Sequence, residues 1–360
     1  MHAANLGGRS SHPRASAPGS PAWLRRTAAL IASVCPFTAA AVDAPGGIGP
    51  ATLGVVANVA DPVSVAAAQY YLERRGVPRS NLIEVRLNPA RPSVTPQDLE
   101  RLKADVAAKT PEDVQAYVLT WALPYRTPCM SITTAFASGF DESYCVKGCA
   151  LGRQSPYFDS NSPRPFDDLK WRPTMSLAAT DAAQAKKLID RGIAADGTKP
   201  RGTGYLLRTS DKHRNVRAAG FEAAVQQLGS RVSLRYMESD YIEGRDDVLF
   251  YFTGMRDVPL LTSNRFVPGA IADHLTSGGG KLIGGKQMSA LRWLEAGATA
   301  SYGTVEEPCS VALKFPDAAI VIRRYVDGET LIEAYTKSVR MPGQGIFVGE
   351  PLARPFARSD

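Results

Sequence analysis

The sequence is poor in the residues that most often carry out chemistry. Only four of its 360 residues are His and five are Cys, and His2 and His12 both fall near the amino terminus. No H-E-x-x-H, no G-x-S-x-G and no phosphate-binding glycine loop occurs, so the metallopeptidase, serine-hydrolase and nucleotide-site readings have no motif to stand on. The SGGG run from Ser277 to Gly280 precedes an expected strand instead of opening a helix, which is the wrong context for phosphate. No basic run interleaved with aromatics appears, and the net charge of +7 falls to +4 once residues 1–44 are set aside. Nucleic acid is therefore excluded as a partner, and no cofactor or metal is expected. After Val42 no apolar run approaches the roughly 20 residues a membrane-spanning helix needs. What is present in quantity is apolar side chain, 44% of the residues, enough for a large buried core.

The segment TAALIASVCPFTAAAV, Thr27 to Val42, follows Arg25 and Arg26 and runs into Ala-Val-Asp-Ala. A positive flank, an apolar stretch and a small-residue end make a signal peptide over residues 1–44, with cleavage expected after Ala44. The protein is accordingly expected in the periplasm or outside the cell, with no integral membrane segment after cleavage. Cleavage also removes Cys35 and leaves Cys129, Cys145, Cys149 and Cys309, an even number in an exported chain. Their spacing lacks the paired repeat of a zinc site. Disulfides Cys145 with Cys149 and Cys129 with Cys309 are expected, because Cys129 and Cys309 each follow an apolar strand and should emerge at one edge of a sheet.

From Thr52 onward, strands alternate with helices. LGVVANVA, NLIEVRL and QAYVLTWAL read as strands, separated by a helix after Asp61-Pro62 that stops at Gly76 and by a helix from Pro96 capped by Thr95. Residues 124–175 break the rhythm and read as a Cys-rich insertion packed on one end of the sheet. Alternation then resumes through helix AAQAKKLIDRG, strand GTGYLLRTS, helix RNVRAAGFEAAVQQLG and strands RVSLRYM and DVLFYFTG. AIADHLTS reads as a helix, KLIGG as a short strand, QMSALRWLEAG as a helix and ATASYGTV as a strand. The segment PDAAIVIRRYVDGETLIEAYTKSV reads as helix broken at Gly328. The whole predicts an α/β fold over residues 45–360, one domain with a doubly wound, mostly parallel sheet and helices on both faces.

Ligands of such sheets bind beyond the carboxyl ends of the strands. Residues expected there include Asp61 and Ser64, Tyr125 and Arg126, Asp211 with Lys212 and His213, Thr253 with Arg256 and Asp257, Gln287, and Glu306 with Glu307. Asp61, Asp211, Thr253 and Glu306 are candidates for a shared polar cleft in which carboxylates serve as general acid and base. Each also has a structural reading: Asp61 as a helix cap, Asp211 as a turn residue, Thr253 as a strand-end hydroxyl. Asp273-His274 is a candidate proton shuttle, set against a histidine near a helix end stabilised by the helix dipole.

Several longer stretches are idiosyncratic: VANVADPVSVAAAQYYLERRGVPRSNLIEV, CMSITTAFASGFD, DVLFYFTGMRDVP, FVPGAIADHLTSGGG, QMSALRWLEAGATASYGTVEEPC and PGQGIFVGEPLARPF. On these the chain resembles an uncharacterised bacterial family from genomes carrying the exosortase system, which sorts proteins bearing a PEP-type carboxyl-terminal signal. That resemblance implies an envelope setting, with an envelope protein or a polysaccharide as partner, and an accessory or binding role. The order of elements also resembles gingipain-type cysteine peptidases of the caspase-like fold. It implies a general base within Thr253-Gly254-Met255 and a nucleophile within Gly284-Gly285-Lys286-Gln287, where neither His nor Cys is present. The alternative to an accessory role is a hydrolase using the strand-end carboxylates.

Overall fold

A computed structural model describes residues 47–144 and 149–357. The expected signal peptide and its cleavage site lie outside the described residues, as does Cys145. No helix among the described residues is long and apolar enough to cross a membrane.

Local sequence chemistry sets the first elements. Strand β1 (Leu53–Asn58) is buried throughout. Helix α1 (Pro62–Arg75) starts at Asp61, whose carboxylate accepts the Val63 amide at 2.9 Å, and stops at Gly76, where φ is +65°. Strand β2 (Leu82–Val85) follows, then helix α2 (Pro96–Lys109) capped by the Thr95 hydroxyl, then strand β3 (Ala116–Leu119). The 124–175 region is more than an insertion. It holds α3 (Ile132–Ser138), α4 (Pro165–Leu169) and the start of β4 (Thr174–Ser176), a strand inside the sheet that pairs with β3.

The remaining strands are β5 (Thr203–Arg208), β6 (Ser233–Glu238), β7 (Val248–Gly254), β8 (Phe266–Leu275), β9 (Ala300–Thr304) and β10 (Gly345–Gly349). Helices α5 (Ala182–Ala195), α6 (Phe221–Leu228), α7 (Leu291–Ala296), α8 (Ala318–Val326) and α9 (Leu331–Lys337) connect and cover them, α8 and α9 being separated at Gly328, where φ is +97°. Two sequence expectations are corrected here. AIADHLTS is the end of strand β8 and not a helix, and KLIGG is a turn and not a strand.

The ten described strands form one sheet in the order β2-β1-β3-β4-β10-β9-β8-β7-β5-β6. Every neighbouring pair is parallel except β10 and β9. The sheet therefore consists of two parallel half-sheets that run in opposite directions and meet at an antiparallel seam. Gly345 faces Thr304 across it, and a Cβ at Gly345 would stand 1.7 Å from the Tyr302 hydroxyl. Alternating residues of β5, β7 and β8 divide between two apolar layers. Leu206, Phe250, Phe252 and Ile271 join the main core, while Tyr205, Leu207, Tyr251 and Ala272 pack with Trp293 of α7. Helices thus lie on both faces, and the fold is α/β with a mostly parallel sheet.

Candidate functional site

Because the half-sheets oppose each other, their carboxyl ends lie at opposite edges of the sheet. This separates residues that the sequence placed together. Asp61, after β1, stands at the first edge, whereas Asp211, Thr253, Asp273-His274 and Glu306 belong to the second.

The first edge is closed by hydrogen bonds. The Ser64 and Thr120 hydroxyls are 2.7 Å apart, Ser64 Oγ accepts the Asn58 amide at 2.8 Å, and the Ser176 hydroxyl donates to the Trp121 carbonyl. All of these side chains are buried. Just past β10, the fully buried Glu350 accepts from the Tyr71 hydroxyl at 2.7 Å and from Arg75 Nε at 3.0 Å, both on α1. Arg75 also pairs with Asp196. Asp61 does no more here than cap its helix.

At the second edge the ionisable groups bond to one another. Asp211 accepts from Arg214 at 2.7 Å. Partial burial raises the Asp211 carboxyl, but the bonds from Arg214 and from nearby amides outweigh it and hold the group below the usual carboxylate range. Arg214 Nε donates to Thr276 Oγ1 at 3.0 Å, Thr276 donates to Gln287 Oε1 at 3.0 Å, and the Gly278 amide donates to the same oxygen at 2.7 Å. Arg217 lies deeper, donating to the Thr253 carbonyl at 2.9 Å and approaching Asp273 within 2.6 Å. Burial raises the Asp273 carboxyl, against the pull of Arg217 and a 2.7 Å bond from the Tyr335 hydroxyl. The buried Thr253 hydroxyl has no hydrogen-bond partner among the described residues.

His274 is fully buried beside Asp273, with its ring on the opposite face of β8. Trp293 Nε1, which can only donate, bonds Nδ1 at 2.9 Å. The proton of the neutral ring is therefore on Nε2, which donates to the Met288 carbonyl at 3.1 Å. Both nitrogens are committed, and burial pushes the imidazole down to about 3. In this arrangement the ring serves as a buried strut between Trp293 and the Met288 carbonyl. The helix-dipole reading of the pair fails, since both residues are on a strand.

Glu306 is exposed and lies 3.8 Å from Arg126. Its neighbour Glu307 is buried against Lys314 at 3.3 Å and accepts the Cys309 amide. His213 is exposed in the turn after β5.

The cysteine pairing differs from expectation. Cys309 is bonded to Cys149, with Cα atoms 5.4 Å apart, so neither Cys145 with Cys149 nor Cys129 with Cys309 forms. Cys129 is itself in a disulfide. The segments before Cys129 and Cys309 do meet, Arg126 lying 3.8 Å from Glu306, but Cys309 takes its partner from the Cys-rich loop at Cys149 instead.

Beside Gln287 lies an open cleft of 360 Å³ bordered by Ser277, Gly278, Lys281, Gly284, Lys286 and Gln287. Neither lysine has an acidic partner among the described residues. The strand that follows β7 in the chain and pairs with it is β8, which ends at Leu275. The position following it is thus Thr276-Ser277, while residues 284–287 form part of the cleft rim. Arg214, Arg217, Gln287, Trp293 and Tyr335 organise this edge, and of these only Gln287 was singled out in the sequence. Among the described residues no cluster of three His, Cys, Asp or Glu side chains is placed to hold a metal ion.

The fold and this edge define an α/β protein with a salt-bridged, glycine-rich and lysine-rimmed cleft beyond its second half-sheet. No family model matches the chain, and no curated protein matches it. Among solved structures, one described as a protease is 11% identical, covering 72% of this chain and 60% of its own, with a TM-score of 0.37. This chain therefore spans 60% of the length of that protein. The complex of the Porphyromonas gingivalis RgpB pro- and mature domains is 10% identical, covering 84% of this chain and 79% of its own, with a TM-score of 0.44.

Proposed function

We propose that this is an exported envelope protein, residues 45–360 after cleavage near Ala44, that serves as a binding or accessory component of exosortase-dependent sorting or surface-polymer production. It docks an envelope protein or a polysaccharide at its second carboxyl edge and performs no peptidase chemistry there. The observation that carries this reading is the mutual commitment of the ionisable groups. Asp211 is ion-paired with Arg214, Asp273 with Arg217 and bonded by Tyr335, and both ring nitrogens of His274 are bonded, to Trp293 and Met288, so each group is oriented by the fold. The groups left over at the cleft, Lys281 and Lys286, are cations suited to binding an anionic group. The Cys149–Cys309 bond accords with an oxidising compartment.

The test is deletion of the gene in its native host, complemented by wild type or by Asp211→Asn. The expected result is impaired sorting of PEP-signal proteins or reduced surface polymer, restored equally by both, with the mature chain beginning near Pro45 in the periplasm or medium. Cytoplasmic protein retaining residues 25–44 would overturn the export reading. Peptide or ester hydrolysis by purified protein that Asp211→Asn abolishes would install the hydrolase in its place.

A further inference from the structure

A second cleft, of 630 Å³, opens at the other end of the second half-sheet, where β5, β6 and β7 begin. Its size is that of an ordinary small-ligand site. It shares no residue with the lysine-rimmed cleft.

Its floor is a row of hydrogen bonds with a defined direction. Thr203 Oγ1 donates to Asp247 Oδ2 at 2.6 Å, and Tyr205 donates to Asp247 Oδ1 at 2.8 Å. Burial raises the Asp247 carboxyl, but these two bonds outweigh it and hold the group ionised. Since the Thr203 proton is spent on Asp247, the 3.2 Å contact between Thr203 and Ser233 requires Ser233 to donate. Ser233 Oγ is left with lone pairs only, and Asp247 retains acceptor capacity beyond its two bonds. The floor thus presents acceptors and calls for a ligand that brings hydroxyl donors.

The rim has the opposite character. Lys199 and Arg201 are exposed, line the cleft and have no acidic partner among the described residues. Arg231 stands on the same rim, tethered to Asp327 at 2.6 Å. The half-buried ring of Phe356 forms part of the wall. A simple dianion such as phosphate meets the cations but brings too few donors and faces the Asp247 charge. A neutral sugar satisfies the floor and leaves the cations unused.

We infer that this cleft binds an acidic sugar of the uronic acid class, with ring hydroxyls donating to Asp247 and Ser233, the sugar face on Phe356 and the carboxylate between Lys199 and Arg201. This inference stands apart from the proposed role of the other edge. Isothermal titration of the oxidised protein with trigalacturonate is the test, with maltotriose and inorganic phosphate as comparators. Saturable binding of trigalacturonate is expected, weakened at least tenfold by Lys199→Ala/Arg201→Ala and unchanged by Lys281→Ala/Lys286→Ala. Both pairs are on the surface, and an unaltered melting temperature confirms that each variant is folded. Absence of trigalacturonate binding, retention of full affinity in the Lys199/Arg201 variant, or equal binding of phosphate or maltotriose would each overturn the inference.

Discussion

The two carboxyl edges of the sheet are built on opposite principles. At the first, short neutral side chains and one buried ion pair satisfy one another completely, and Asp61 is spent on a helix cap. At the second, charged groups are also paired, but the chain beyond the strands is rich in glycine and leaves an open cleft with unpaired lysines. Identical strand direction within each half does not make identical edges. Chain that folds back tightly seals one, and chain that loops outward leaves the other accessible.

The sharpest way to break this contrast is at Glu350. Replacing it by Ala strips buried Arg75 of its main counter-charge and Tyr71 of its acceptor. A loss of about 3–5 kcal/mol in urea-unfolding stability is expected, as for other buried pairs deprived of one member. A cost below about 1 kcal/mol would mean that the first edge is not held by this pair.

The second edge is expected to show its own signature in acid. His274 is neutral down to about 3 in the folded protein, while in the unfolded chain it titrates near 6.5. The unfolded state therefore binds the extra proton between these values, so the stability His274 contributes is complete above 6.5 and is lost as pH falls toward 3. At about 1.4 kcal/mol per pH unit, the loss from this residue by pH 4.5 is on the order of 3 kcal/mol. Denaturation of wild type and His274→Gln across this range measures it as the difference in slope. Equal slopes would show that the imidazole is not locked neutral.

At the seam, Gly345→Ala pushes a methyl group into the Tyr302 hydroxyl and is expected to cost about 1–3 kcal/mol in thermal or urea unfolding. The smallest effect belongs to Asp61→Ala, about 1 kcal/mol from the lost cap. Binding at either cleft should be untouched by it, and a change in ligand affinity would return Asp61 to the functional residues.

Much of the fold was legible in local signals. The caps at Asp61 and Thr95, the stop at Gly76 and the break at Gly328 all mark real element ends. The failures occurred where the deciding partner is remote in sequence. In β8 the run Ala-Ile-Ala-Asp-His-Leu looks helical because small residues are mixed with polar ones, yet Asp273 and His274 are buried in a strand, satisfied by Arg217, Tyr335, Trp293 and Met288. Short strands such as β4 and β10 carry too few residues to show a period. Strand direction leaves no local trace, which is why the antiparallel seam and the division of the candidate residues between two edges are not legible in the sequence.

The position of β10 bears on how the molecule is assembled. It is the last of the described strands in the chain, yet it lies in the middle of the sheet between β4 and β9. Until residues 345–349 are in place, both neighbours present unpaired backbone edges, which are templates for pairing with other chains. The first half-sheet is mostly complete after Ser176 and must keep its inner edge unsealed while the whole second half is formed. Such a sheet closes by contacts of very long sequence separation, the arrangement that folds slowly and aggregates most readily along the way. A central strand that is the last of the described strands makes closure of the sheet a late step, taken only after both half-sheets have begun to form.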